Sequence, residues 1–186
     1  MSARLESRGI EMQTIEGELQ RDFEQEKTGV DEIEFRAWKS HEDSVAFRKL
    51  NEEWIVRFFT LETKDRETLN HPEEKILGKG GRIFMAYSGD AAVGCVALIP
   101  VSEGVYELAK MAVAPELRGR GVGRGLLEYA IGEGRRLGAQ SLYLASSTKL
   151  KNAVHLYESV GFQHIPVEQR PATEYARSDV FMEMVF

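Results

Sequence analysis

An apolar strand pattern and an amphipathic helix pattern meet in this chain at Arg118-Gly119-Arg120-Gly121-Val122-Gly123, and that junction limits fold and ligand together. The strand reads Tyr106-Glu107-Leu108-Ala109-Lys110-Met111-Ala112-Val113, and Pro115 closes it. Beyond the glycines, Val122, Leu126, Leu127, Ala130, Ile131 and Leu137 fit one helical face. Glycines at the mouth of a helix let backbone N–H groups come close to an anion. The first-turn N–H groups lack intrahelical partners, and the helix dipole favours negative charge beside them. Arg118, Arg120 and Arg124 add cations at the same place. The strand therefore delivers the chain into an anion site the size of a pyrophosphate.

Spacing excludes two common phosphate binders. A dinucleotide fingerprint counted from Gly119 or Gly121 ends on Arg124 or Leu126 instead of glycine, and the chain has no Walker A run. What remains is Gln/Arg-x-x-Gly-x-Gly/Ala, filled by Arg118, Gly121 and Gly123. Downstream stands His155-Leu156-Tyr157-Glu158-Ser159-Val160-Gly161-Phe162. The ordered set of strand, loop, helix, strand and this last motif closely resembles the GNAT superfamily of acyl-CoA-dependent N-acetyltransferases, from about Ile33 to Phe186.

Composition is consistent with that resemblance. A chain of 186 residues suits one domain around a single core. The longest apolar run, Ala91 to Val101, is too short to span a bilayer, and Met1 to Gly9 has no apolar leader segment. The single cysteine, Cys95, cannot form an internal disulfide, and no Cys/His spacing suggests a metal. The expectation is a cytoplasmic, metal-free protein that does not act at a membrane. Residues 1–32 hold four basic and nine acidic residues, so they carry −5 of the total −6. Arg118 to Arg136 holds five arginines against two glutamates. That is a local anion site on an acidic protein, and a nucleic-acid surface would need a broad basic stripe.

Two segments are expected: an acidic N-terminal extension over 1–32 and a GNAT-type domain over 33–186. In the extension, Met12, Ile15, Leu19 and Phe23 recur at helical spacing. That helix either packs on its own domain or frays, and a homodimer contact is the alternative. In the domain, Ile33 to Trp38 alternates as a half-buried strand, and Ser40 with Asp43 can start a helix carrying Val45, Ala46, Leu50, Trp54, Ile55, Phe58 and Phe59. Pro72 suits the start of a short helix. Arg82–Tyr87 and Ala92–Ile99 read as hairpin strands, the second apolar on both faces like a central strand. Ser141–Ala145 is a strand, Leu150 to Ser159 a helix, and Phe162 and Asp179–Phe186 open the last two strands. The order β-α-α-β-β-β-α-β-α-β-β gives an α/β layered domain. The resemblance implies a GNAT-like arrangement, with a central mixed, mostly antiparallel sheet flanked by helices.

The resemblance also implies roles, residue by residue. Acetyl-CoA is the expected co-substrate, with its pyrophosphate on Arg118, Gly119, Arg120, Gly121, Val122, Gly123 and Arg124. The backbone N–H of Met111 matches the group that polarises the thioester carbonyl, and Val113 helps hold the pantetheine. Glu107 is the only carboxylate in the central strand and lies where several relatives place a base acting through water. The bland reading is a solvent-exposed strand glutamate, and His155 is a rival base. Tyr157 matches the acid that protonates the departing sulfur; otherwise it packs helix on sheet. Many relatives carry asparagine seven residues before this tyrosine. Here Leu150 stands there, and Asn152 is the nearest substitute.

For the acceptor wall the chain offers Trp54, Phe58, Phe59, Glu62 and Asp65, then Arg170, Tyr175 and Arg177. Phe58, Glu62, Arg170 and Tyr175 are the expected substrate contacts: a carboxylate for an amine, an arginine for a carboxylate. Cys95 lies in a strand that reads as core, so direct transfer to a small-molecule primary amine is expected, without a covalent enzyme intermediate. A non-catalytic acyl-CoA sensor and a protein or peptide N-acetyltransferase are the alternatives.

Overall fold

The computed structural model describes residues 32–171 and 175–186, so the expected helix through Met12 and Phe23 lies outside the described residues. Glu34–Phe186 forms one compact unit. Among the described residues the strands are β1 (Ile33–Ala37), β2 (Arg82–Ser88), β3 (Ala91–Ser102), β4 (Val105–Val113), β5 (Ser141–Ser146), β6 (Gln163–His164) and β7 (Val180–Val185). The α-helices among them are α1 (His41–Phe58), α2 (Thr63–Asn70), α3 (Pro72–Lys75), α4 (Val122–Arg136) and α5 (Lys151–Ser159). The strands form one sheet in the order β1-β2-β3-β4-β5-β7-β6. The β4–β5 pair is parallel, while β2–β3, β3–β4, β5–β7 and β6–β7 are antiparallel.

Period-2 alternation assigns the two layers. Ile83 and Met85 of β2 and Cys95 and Ala97 of β3 share a buried cluster with Phe47 and Ile55 of α1. Their neighbours point the other way. Phe84 meets Tyr129 of α4 edge-on at 5.5 Å, and a Cβ on Gly94 would lie 3.3 Å from Leu126. Helices thus cover both faces of β3, which is why that strand is apolar throughout. Gly125 is the closest approach of α4 to β1: a Cβ there would sit 2.6 Å from Phe35.

The start of α1 follows from its first turn. Ser40 is the extended N-cap, and its N–H donates to Asp43 at 3.3 Å, with the Lys39 N–H at 2.7 Å on the same oxygen. Asp43 is fully buried. Burial alone pushes its carboxyl up, but the Arg36 fork at 2.9 and 3.0 Å and the Tyr87 hydroxyl at 2.6 Å outweigh that and hold it down at about 2. Of the apolar residues expected on α1, Ile55 joins the core and Ala46, Leu50, Trp54 and Phe59 pack against it. Phe47, Asn51 and Ile55 are sealed, while Val45 and Phe58 are 50% and 42% exposed. Apolar residues encircle this helix, so period alone does not choose the face; the sheet chooses Phe47. The strand expected from Phe162 is also shorter, only Gln163–His164, because Phe162 instead packs edge-on to Tyr157.

Candidate active site

Two irregularities in β4 create the site. The ladder with β3 passes from Ala97↔Ala109 to Cys95↔Ala112, so Lys110 and Met111 oppose Val96 alone. Two residues against one make a β-bulge. Lys110 has φ +54°, in the left-handed region that non-glycine residues rarely adopt. The bulge is held from beneath: the Cys95 thiol faces the Lys110 carbonyl at 3.6 Å, and Asn51 donates to that sulfur at 3.3 Å. On its other edge, β4 pairs with β5 only through Val105–Glu107 against Ser141–Tyr143. Both strands continue, β4 to Val113 and β5 to Ser146, so they part beyond Glu107. A cleft of about 1600 Å³ opens along the parting and is lined by Glu107, Met111 and Val113 of β4, Tyr143 of β5, and Asn152 and Tyr157 of α5.

Glu107 and Tyr143 are the last ladder pair before the strands separate. Burial pushes the Glu107 carboxyl up. The Lys110 and Lys64 ammonium groups and the Tyr143 phenol act against that without cancelling it. The Tyr143 phenol is itself raised to about 12, by burial and by Glu107. Tyr157 is only 9% exposed, and burial raises its phenol to about 12. A phenol held there stays protonated at neutral pH and so has a proton to give. His155 instead lies on the outer face of α5, its side chain 85% exposed beside Glu158. Cys95 is sealed and its thiol is raised to about 12 by burial, so it does not present a thiolate.

At the mouth of α4, Gly119 (φ +78°) and Gly121 (φ +86°) both need glycine for their backbone angles, and a Cβ on either would meet nothing within 4 Å. The N–H groups of Val122, Gly123 and Arg124 precede the first helical bond, from Gly125 N–H to the Gly121 carbonyl at 3.0 Å. A Cβ on Gly123 would come within 3.6 Å of Val113 and Leu156, which puts this turn between the end of β4 and α5. The arginines divide in a way the sequence did not reveal. Arg118 lines the cleft, donates to the Val113 carbonyl at 2.9 Å and pairs with Glu53 of α1. Arg124 donates to Ser159 of α5 at 2.7 Å. Both are struts; Arg120 is exposed and has no ion pair among the described residues. Open glycine angles, first-turn N–H groups and a strand edge released by the parting fit a ligand with a pyrophosphate and an extended amide-bearing arm.

The far end of the cleft is built around a buried charge cluster. Asp65 of α2 is fully buried and receives the Arg177 fork at 2.7 and 2.8 Å, the Lys110 ammonium at 2.8 Å and the Glu62 N–H at 3.2 Å. Arg177 also donates to Glu62 at 2.9 Å, and the Lys110 ammonium to the Tyr175 hydroxyl at 2.8 Å. Burial pushes the Asp65 carboxyl up, but the two cations outweigh it and hold it below the usual carboxylate range. For Lys110 burial wins: its ammonium titrates below the usual lysine range although Asp65 pulls it back. Trp54, Phe58 and Phe59 complete this wall.

Of the expected substrate contacts, Phe58, Glu62 and Tyr175 line the cleft, and Arg170 does not. Arg170 donates to the Asp179 and Ile165 carbonyls and lies 5.5 Å from the Phe181 ring, which ties it to the β6–β7 connection. Asn152 lines the cleft as the second residue of α5, two positions after the N-cap Leu150. Lys110 and Tyr143 were missed as site residues. The available signal for Lys110 was that it is the only cation in a strand whose one other charge is Glu107. Among the described residues, no group of His, Cys, Asp or Glu is arranged to hold a metal, and no helix is long and apolar enough to cross a membrane.

Comparison with known proteins agrees with this fold. The model of the acetyltransferase (GNAT) family matches residues 44–162, well over half of the chain. The N-acetyltransferase YjgM of Escherichia coli is 39% identical over 61 residues, which cover 33% of this chain and 36% of that protein. An N-acetyltransferase of Schizosaccharomyces pombe, C1271.07c, is 32% identical over 70% of this chain and 83% of its own length. The crystal structure of a GNAT-family acetyltransferase from Staphylococcus aureus superposes with a TM-score of 0.75 at 19% identity, over 83% of this chain and 99% of that one.

Proposed function

This chain belongs to the GNAT family of acetyltransferases, and from that premise we propose that it moves an acetyl group from acetyl-CoA directly to the primary amine of a small molecule. One observation carries the reading: β4 and β5 part beyond Glu107, beside a helix mouth open to an anion, with a carboxyl and a phenol on the cleft between them. Acetyl-CoA supplies the acetyl group as a thioester. The Gly119–Arg124 turn holds its pyrophosphate through backbone N–H groups, with Arg120 as the available cation. Met111 and Val113, on the released edge of β4, hold the arm, and Asn152 stands beside it on α5. The N–H of Met111, set off by the bulge, is the donor for the carbonyl oxygen, the kind of fixed dipole that contributes most to acyl transfer.

Two protons then have to move. The amine attacks as the free base, and Glu107 takes its proton through water; the raised pKa of this carboxyl brings it closer to neutral pH, where a base works best. Tyr157 returns a proton to the sulfur as the carbon–sulfur bond breaks. Attack is direct because the one cysteine is sealed beneath the bulge. The aromatic and charged wall from Trp54 to Tyr175 receives the acceptor. Residues 33–186 form the catalytic domain on this reading, with 1–32 as an extension, and the cytoplasm, where acetyl-CoA is available, is its place of action. The test is amine-dependent release of CoA thiol by the purified protein. Glu107→Gln and Tyr157→Phe should each lower turnover while acetyl-CoA still binds.

A further inference from the structure

We propose that the acceptor amine carries a carboxylate of its own, and that Lys110 is the residue that reads it. This rests on the small-amine reading above and narrows it to amino-acid-type monoamines.

The carboxylates of the buried cluster, Asp65 and Glu62, are already engaged, while Glu67 lines the cleft from an exposed position. Asp65 is fully buried and has all its visible contacts with Arg177, Lys110 and the Glu62 backbone. Glu62 accepts from the same Arg177 nitrogen that donates to one Asp65 oxygen. A polyamine entering this end would find no unpaired carboxylate in the cluster and would face two buried cations.

The three most buried side chains of the cluster carry one surplus cation, which Glu62 and Glu107 face. Asp65, Lys110 and Arg177 have side chains 0%, 6% and 12% exposed, and together they hold one negative against two positive charges. Glu62, at 28% exposed, offsets the surplus from a wetter position. An ammonium has three donors. Among the described residues that of Lys110 directs two, at Asp65 and at the Tyr175 oxygen, while the residue itself lines the cleft. Burial already disfavours its charge, so an incoming carboxylate would restore what desolvation takes away.

Two further observations single out Lys110. Of the arginines that the sequence offered for a carboxylate, Arg170 is committed to backbone carbonyls outside the cleft, and Arg177 directs three of its five donors at Asp65 and Glu62. Lys110 also sits at φ +54° in the bulge, next to the Met111 N–H. Backbone strain of this kind clusters where a ligand is held. A carboxylate on Lys110 would place the amine of a short acceptor between Lys110 and Glu107, on the same strand.

The test is a matched panel with the full-length protein: phenylalanine, phenylalaninamide and phenethylamine, the corresponding leucine series, and spermidine. Rates are compared as kcat/KM per free amine by acetyl-CoA-dependent thiol release. The acid should exceed its amide and its decarboxylated amine by roughly 10- to 100-fold, the usual weight of one charge-assisted hydrogen bond. Lys110→Asn, which tolerates the left-handed angle, should bring that ratio close to one. The ratio is internal to each preparation, so partial unfolding lowers both rates together, and if the variant does not fold the wild-type ratio still decides. Amides or spermidine turned over as well as the acids, or a ratio unchanged in Lys110→Asn, would overturn this inference and leave the small-amine reading standing. No thiol release with any amine would overturn both.

Discussion

Replacing Asp65 with asparagine removes a charge that α2, β4 and the segment before β7 share. The side chain is fully buried, and its two cationic partners are nearly so. Asparagine keeps the shape and one acceptor oxygen but leaves Lys110 without its counter-ion and Arg177 with Glu62 alone. Breaking a buried ion pair from one side costs about 3–5 kcal/mol. In a chain of this size each kcal/mol moves the melting temperature by roughly 2–4 °C, so the drop should be on the order of 10 °C.

The pH dependence gives an independent check. In the native protein Lys110 already titrates below its unfolded value. Between those two values the unfolded state binds more protons, so stability rises with pH there. Losing Asp65 lowers the folded value further and widens that window downward. The deficit of Asp65→Asn should therefore shrink as pH rises from neutral toward about 9.5, near the normal lysine range. Thermal unfolding followed by circular dichroism at both pH values measures it. A melting temperature within about 2 °C of wild type, less than one kcal/mol here, would mean that the cluster is hydrated and its charges screened. A deficit that grows with pH would mean that Lys110 is not the group left uncompensated.

Other outcomes follow from the same geometry. Tyr157→Phe keeps the packing on Phe162, so stability and acetyl-CoA affinity should hold while turnover falls about 10²–10⁴-fold; full turnover would reduce Tyr157 to a packing residue. With Glu107→Gln, the fall in rate as wild type is acidified through the raised Glu107 pKa should disappear, and the variant should track the free fraction of the amine. Equal rates at neutral pH would pass the proton to another group. Gly121→Val places a β-branched residue at φ +86° and projects it into open space where the proposed pyrophosphate would lie, so calorimetry should show a larger loss in acetyl-CoA binding than in folding. Unchanged affinity in a folded variant would remove Gly121 from the site.

The sequence exposed whatever is set by local period and punctuation. Alternation marked β1 and β7, a continuous apolar run marked β3, and the glycines at 119 and 121 marked the mouth of α4, because each signal lies within a few residues. Parts of the site that depend on register were hidden. The bulge at Lys110–Met111 exists only as a mismatch with Val96 across the ladder, and the parting of β4 from β5 only as an absence of pairs after Glu107. Neither has a composition of its own.

The charge cluster was hidden for a related reason. Asp65 meets Lys110 across 45 positions and Arg177 across 112, so single-chain spacing cannot join them. Arg170 shows the converse: a residue plausible from its neighbours is drawn off by two nearby carbonyls. On α1 the face was ambiguous because apolar residues surround the helix, and only the sheet distinguishes Phe47 from Val45.

The most direct measurement of the central claim is a mass-resolved transfer assay, in which purified protein, acetyl-CoA and a panel of primary amines are incubated together and both products are quantified. Direct acetyl transfer predicts N-acetylated amine and free CoA in equal amounts, with release that depends on the amine and no acetyl group left on the protein. Acetyl-CoA that binds but is never consumed with any amine would contradict it and leave an acyl-CoA sensor as the better account. An acetyl group trapped on the chain during turnover would contradict direct attack.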